Sequence, residues 1–415
     1  MRRKIRIIVT ISIIAIILLI YEYRQNLLKE YSTRKEINKE HVIEVQIIDE
    51  YDQINKLYEN PKEEEYVEAD IIIDGNYYSN VGIRTKGDVI YNILHEFNLD
   101  NYSFKVKLDY KNKEQKYNGM NELHLNTTYY DPTGMREFLV YDIYNQMGIE
   151  TQQYYFGHLH IGDTDRGLIT IVEVINENYL EHYYKSKEGN LYKPSPVTKI
   201  DYSGADLRYY GNSKENYKGI FDNVKTARTK EDDENRLIQI IQNINFTSRS
   251  EIIEDNFVDF DKIIKMVAIN KVLFNVDVFT SHTLRNYYIY EEMGKIDILT
   301  FDFDISMNPT INLNYWKDKM DEFDLSKSDI RIYSRIIELI IENKEYNQKY
   351  YQYVEETQQL LKNIKIEEKI DEIYKRTKEA IKANEKKIYT YEEYEENIKI
   401  LKDFIIKREK AYETH

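Results

Sequence analysis

"NYYIYEEMGKIDILTFDFDISM", residues 286–307, decides how this chain is read. Its two apolar runs, 286–291 and 295–302, flank Met293 and Gly294, and their aromatic and β-branched content predicts two strands joined by a tight turn. Such a hairpin returns Asp302 to the neighbourhood of Asn286 and leaves Asp302 and Asp304 two positions apart where an apolar strand ends. Carboxylate and amide oxygens are the donors that a hard divalent cation such as Mg2+ takes, with water and phosphate completing its shell. Upstream, the apolar-periodic segment "FDKIIKMVAINKVLFNVDVF", residues 260–279, predicts a long helix that ends near Asp277, from where a carboxylate can accept or orient a hydroxyl proton. A base Asp, a metal Asn and a metal Asp just beyond a hairpin are the parts of a phosphoryl-transfer site.

The earlier half of the chain supplies complementary groups. "YVEADIII" and "YYSNVGIRTKG" flank Asp74 and Gly75, a hairpin turn signal, because both turn residues tolerate positive φ. "YSFKVKLDY", residues 102–110, alternates Phe104, Val106 and Leu108 against Ser103, Lys105 and Lys107, so the two lysines share one strand face. "DPTGMREFLVYDIYNQMG", residues 131–148, predicts one amphipathic helix, with Asp131 and Pro132 as start signals and Gly148 as the stop. Lys105 or Lys107, with Lys107 preferred, is expected to meet phosphates while an ion pair with Glu137 on that helix holds it in place. "YYFGHLHIGD" and "RGLITIVEVI" predict a further strand pair joined through Gly162 to Gly167. His158 and His160 project from one face of its first strand; zinc would need at least a third ligand, and none is apparent in the sequence. "GIRTKG" lacks the spacing of a Walker phosphate loop and opens no helix.

Composition narrows the function classes. A length of 415 residues with 42% hydrophobic content is enough for one large two-lobed domain or two ordinary ones. A net charge of −15 argues against nucleic acid as a partner, because phosphate backbones are held by clustered cations. The absence of Cys excludes disulfides, thiolate zinc sites and Cys nucleophiles, so any metal sits on oxygen or His. Arg2, Arg3, Lys4 and Arg6 precede an apolar run at 7–21, which predicts an uncleaved transmembrane signal anchor with residues 1–6 cytoplasmic and residues 22 onward outside. Residues 22–60 then read as a charged, helix-compatible stalk, 61–322 as the catalytic domain, strand-rich to about 180 and helical after, and 323–415 as a charged helical extension.

The stretches "VGIRTKGD", "YSFKVKLDY", "GMNELHLNTTYYDPTGMREFLVYDIYNQMG", "GLITIVEVINENYL", "GNLYK", "NVDVFTSHTLRNYYIYEE" and "ILTFDFDISM" together resemble, in order, the spore coat protein H (CotH) kinase family. The resemblance implies an α+β, divergent protein-kinase-like fold of two lobes, here with an N-terminal membrane anchor and a helical C-terminal extension. It implies ATP-dependent phosphorylation of Ser or Thr on spore coat or cell-surface proteins, with Mg2+ or Mn2+; with the anchor read from residues 1–21, the enzyme is expected to be membrane-anchored and extracytoplasmic or spore-associated. Asp277 matches the family's catalytic-loop Asp, Asn286 its second metal ligand, and Asp302 the metal Asp of its W-D-x-D/E element, with Asp304 in a position to share the ion. Arg84 and Lys86 in "RTKGD" fall where phosphate contacts are expected, and Glu173 where the family has a strand-end Glu near the link between lobes. Phe301 replaces the usual Trp, the Ser that often follows Lys-Gly is missing, and eight residues separate Asp277 from Asn286, more than in the family pattern. Two rival readings are nucleotidyl (AMP) transfer on the same scaffold and a non-catalytic structural protein of the spore coat or surface.

Overall fold

Alternating strands in the first part of the chain close on themselves. The computed structural model describes residues 38–410 apart from 51, 60, 62–64, 88–89, 98, 199–200, 247–256, 282, 310–333 and 387. Seven strands form a closed barrel in the order β1 (Val42–Ile48), β2 (Val67–Ile73), β3 (Asn76–Lys86), β4 (Ser103–Lys107), β5 (Glu122–Asn126), β7 (Thr164–Glu173) and β6 (Tyr154–Ile161). Neighbours pair antiparallel except β1 and β6, whose parallel pairing closes the ring. The two-residue period fills the interior: Ile43, Val45 and Ile47 of β1, Ile71 and Ile73 of β2, and Phe104 and Val106 of β4 are buried, while Glu44 and Gln46 point outward. Helices α1 (Gln53–Glu59) and α2 (Ile90–Glu96) add Ile54, Leu57, Tyr91 and Leu94 to the same core.

Two expectations change here. The expected fold class, a two-lobed kinase-like fold with an N-terminal membrane anchor, is corrected to a closed seven-stranded barrel with associated helices. Part of the reason is that residues 42–48, read as stalk, are β1, whose partner β6 lies over a hundred residues away in sequence. The second correction concerns location. The anchor expected at 7–21 lies outside the described residues, and among those described no helix is long and apolar enough to cross a membrane.

The rest of the chain builds a second apolar core. α3 (Arg136–Gln146), α4 (Glu177–Tyr184), α5 (Lys218–Phe221), α6 (Glu231–Phe246) and α7 (Phe260–Val272) surround a three-stranded antiparallel sheet of β8 (Asn190–Tyr192), β9 (Tyr287–Glu292) and β10 (Lys295–Thr300), with β9 central. α8 (Arg335–Glu342), α9 (Lys344–Asn363), α10 (Ile366–Ala383) and α11 (Tyr391–Lys410) join this core through Ile337, Tyr350, Ile370 and Leu401. Between barrel and helices lies α3, buried from Arg136 to Tyr141 and at Ile143 and Tyr144, so the segment expected to show one apolar face is enclosed nearly all round. Its charged residues are paired accordingly. The Asp131 carboxylate accepts the Arg136 backbone N–H at 2.7 Å and the Arg136 guanidinium, and Lys369 of α10 meets Asp142 at 2.5 Å.

Candidate active site

The β9–β10 hairpin turns at Met293 and Gly294, and pairs Tyr287 with Thr300. That register sets Asn286 beside Phe301, whose backbone N–H donates to the Asn286 carbonyl at 3.2 Å. Asn286 reaches back with its side-chain amide to Asp277, donating to the backbone carbonyl at 2.8 Å and to the carboxylate at 3.2 Å. Burial pushes the Asp277 carboxyl above its ordinary range and the charge of Asp302 adds to this, while hydrogen bonds from Thr283 and Asn286 and the Arg285 charge oppose it. Asp277, Asn286 and Asp302 thus form one neighbourhood.

Phe303 anchors the Asp302–Phe303–Asp304 segment in the core. It is fully buried against α3, 4.9 Å from Tyr141 in an edge-on contact and 5.3 Å from Tyr144. The buried Arg136 also reaches this loop, donating to the Met307 carbonyl at 3.4 Å. On the barrel side, Lys86 at the end of β3 donates to Asn126 Oδ1 at 2.7 Å and lies 3.8 Å from Asp302. Asn126 in turn donates to Glu137 at 2.7 Å. A relay Asp302–Lys86–Asn126–Glu137 therefore ties the loop to β3, β5 and α3.

The carboxylates crowd one another. Glu137 is pushed up to about 7, first by burial and then by the Asp302 charge, against Lys86, the Asn126 hydrogen bond and the Phe303 backbone N–H. Asp304 is pushed well above the carboxylate range by burial, then by Asp302 and Glu137. Hard oxygen donors sit here beside an Asp302 side chain that keeps 35% of its exposure, the donor chemistry that a divalent cation takes. A cleft adjoins them, lined by Lys86, His124, Asn126, Glu137 and Asp302 and walled by Val172, Ile175, Tyr288 and Phe301. His124 is held neutral there: burial, then the charges of Lys86, Lys105, Lys193 and Arg84, push its pKa well below the usual range. A cleft that joins Lys86 and an apolar wall to carboxylates able to share a cation has the donor types that a metal-bound nucleotide polyphosphate needs.

Lys105 and Lys107 are placed differently from the sequence reading. Both meet Glu122 on β5, at 2.7 and 3.1 Å, because the β4–β5 register sets Lys107 directly opposite Glu122; neither pairs with Glu137. Arg84 donates to the Thr85 carbonyl at 3.0 Å and lies 5.7 Å from the Tyr66 ring. Glu173, buried at the end of β7, lines the cleft and accepts the Gln153 backbone N–H at 3.3 Å. Sequence reasoning passed over Asn126 and His124, which stand on β5, within the quoted stretch that leads into α3.

Comparison with known proteins gives the family. The profile of the family described as CotH kinase protein matches residues 83–412. Inner spore coat protein H of Bacillus subtilis (strain 168) is 22% identical over 379 residues, 87% of this chain and 96% of that protein. Among solved structures, the Helicobacter pylori proinflammatory kinase CtkA is similar with a TM-score of 0.35 and 10% identity, over 71% of this chain and 88% of that one. Since the family profile spans most of its length, this chain belongs to the CotH kinase family.

Proposed function

We propose that this member of a kinase family transfers the γ-phosphoryl group of ATP to a Ser or Thr hydroxyl of a protein substrate. Asp302, Asp304 and Asn286 would hold Mg2+ or Mn2+, and Asp277 would receive or orient the acceptor proton. The observation that carries the reading is Lys86, which lines the cleft 2.7 Å from Asn126 and 3.8 Å from Asp302, the aspartate whose charge also raises the carboxyl of Asp277. Lys86, with the charge of Arg84, Lys105 and Lys193 behind it, attracts the polyphosphate, while the Val172, Ile175, Tyr288 and Phe301 wall takes an apolar ring. The acceptor oxygen forms its bond to the γ-phosphorus as the bond to the β–γ bridging oxygen breaks, ADP leaves with that electron pair, and the hydroxyl proton passes to Asp277. A bound divalent ion would supply charge neutralisation on the phosphates. The likeness to an inner spore coat protein supports coat proteins as the substrate class.

The test uses the full chain with ATP labelled at the γ or at the α phosphorus, in Mg2+ or Mn2+. Transfer of γ label to Ser or Thr is expected; transfer of α label would replace the reading with nucleotidyl transfer. Nucleotide binding without either transfer to any coat protein would leave a scaffold. Asp277→Asn should lower turnover by about 10²-fold or more and leave nucleotide affinity nearly unchanged.

A further inference from the structure

The outer wall of the barrel, away from the cleft, carries a cluster that phosphoryl transfer does not use. Glu44 on β1 and His158 and His160 on β6 present ligand atoms that all lie within 4.8 Å of one another. We infer that they form a second metal site, for a Zn2+-class transition ion, with Asp165 on β7 orienting the first histidine.

The geometry favours an ion over ordinary hydrogen bonding. Glu44 Oε2 stands 3.6 Å from His158 Nδ1 and 3.7 Å from His160 Nε2, too far to hydrogen-bond either ring. Tetrahedral bonds of the length Zn2+ makes to nitrogen and oxygen set neighbouring donors roughly 3.3 to 3.6 Å apart, so the gap has the size of the ion. The opposite nitrogen of His158, Nε2, lies 2.9 Å from Asp165. A ligating imidazole ordinarily donates its second N–H to a carboxylate, which selects the tautomer and turns the ring. Asp165 is itself held: its carboxylate accepts the Gly167 N–H at 2.8 Å and its carbonyl the Glu385 N–H at 3.0 Å.

Strand register assembles this set. The parallel β1–β6 pairing sets Glu44 opposite His158, and a register shift between Leu159 and His160 brings Asp165 across from His160. Gly167 makes the shift possible at φ 78°, where any Cβ would come within 2.5 Å of Asn384. Two imidazoles and one carboxylate leave a coordination position open and favour Zn2+, Co2+ or Ni2+ over Mg2+. Because the ligands lie on both sides of the pairing that closes the barrel, the ion would fasten the seam.

The experiment is titration of chelator-treated full chain with Zn2+ by calorimetry and with Co2+ by visible absorption, beside melting temperature. One tight equivalent is expected, with a raised melting temperature and a Co2+ spectrum of nitrogen and oxygen ligation. Binding should persist in an Asp302→Asn/Asp304→Asn variant and weaken about 10- to 100-fold in Asp165→Asn. It should be lost in His158→Gln/His160→Gln and weakened at least tenfold in Glu44→Gln, whose exposed position keeps folding out of the result. Absence of binding by the wild-type chain, or wild-type affinity in the Glu44 or the histidine variant, overturns the site.

Discussion

Replacing Lys86 with Met, beside Lys107→Met, tests whether the phosphate lysine is the one that ends β3 or the one expected on β4. Lys86 Nζ is 2.7 Å from Asn126 and 3.8 Å from Asp302, and its side chain keeps 18% of its exposure, so a bound phosphate would meet a poorly solvated cation. A hydrogen bond to a charged partner in such a setting contributes about 1.5 to 3 kcal/mol, which is roughly a 10- to 150-fold loss of affinity or of kcat/KM when the cation is removed. Lys107→Met should cost less than about threefold, since Lys107 is already satisfied by Glu122 at 3.1 Å and Lys105, at 2.7 Å, would keep that carboxylate paired. Loss of Lys86 also removes the cation that opposes the upward shift of Glu137, so the variant should carry Glu137 protonated to still higher pH. The assay is calorimetric Mg-ATP binding and turnover on each purified variant, with melting temperature as the folding control. A tenfold or greater loss in Lys107→Met beside near wild-type binding in Lys86→Met would refute the reasoning.

The other predictions concern charge and closure. Asp302→Ala should abolish turnover while the apo protein melts at the same or a higher temperature, because the Asp302 charge raises the carboxyls of Glu137, Asp304 and Asp277; retained turnover would remove Asp302 from the cation site. The folded pKa of Glu137, about 7, exceeds its reference value of 4.5, so its penalty on the folded state is absent below that value and fully developed above 7. In chelator, stability should therefore fall as pH rises through this window, by on the order of 3 kcal/mol from Glu137, and Glu137→Gln should flatten the profile; an unchanged slope counts against the shift. Ile47→Ala in the closing strand should cost about 2 to 5 kcal/mol in denaturant unfolding, and a loss under about 0.5 kcal/mol would mean that β1 is not part of the folded core.

What the sequence made legible was local. The turn at Met293 and Gly294 lies between two apolar, aromatic and β-branched runs, and its two arms pair in the register that brings Asn286 to Phe301. The identity of the lysine facing the acidic cluster was not legible, because period-two alternation tells which residues share a face but not which neighbouring strand that face meets. Lys105 and Lys107 point toward β5 and find Glu122 there, while Lys86, at the end of β3, reaches past them to Asn126. Barrel closure was hidden for a related reason. Val42–Ile48 carries the strand pattern Ile43, Val45, Ile47, but it sits among charged residues, and its partner in the parallel pair lies over a hundred positions on. His158 and His160 were visible as a pair, and their third ligand was not, since Glu44 comes from that same distant strand.

The backbone around the acidic cluster adds a constraint that no composition argument reaches. Asp302 (φ 65°) and Asn286 (φ 54°) adopt the left-handed region, which short polar side chains enter with little penalty. Phe274 (φ 49°), Leu284 (φ 48°) and Met307 (φ 52°) do so as well, and for these the cost is on the order of 1 kcal/mol or more each. All three are buried, and Met307 is fastened by its N–H to the Leu273 carbonyl at 2.8 Å and by its own carbonyl to Arg136. Packing therefore holds the loops on both sides of Asp277 and Asp302 in conformations that the isolated segments would leave. A glycine at any of the three would relieve the local strain and also remove the side chain that enforces the geometry. Strain and anchoring thus belong to the same residues, and the positions of Asp277, Asn286 and Asp302 are set by the core beneath them before any ligand arrives.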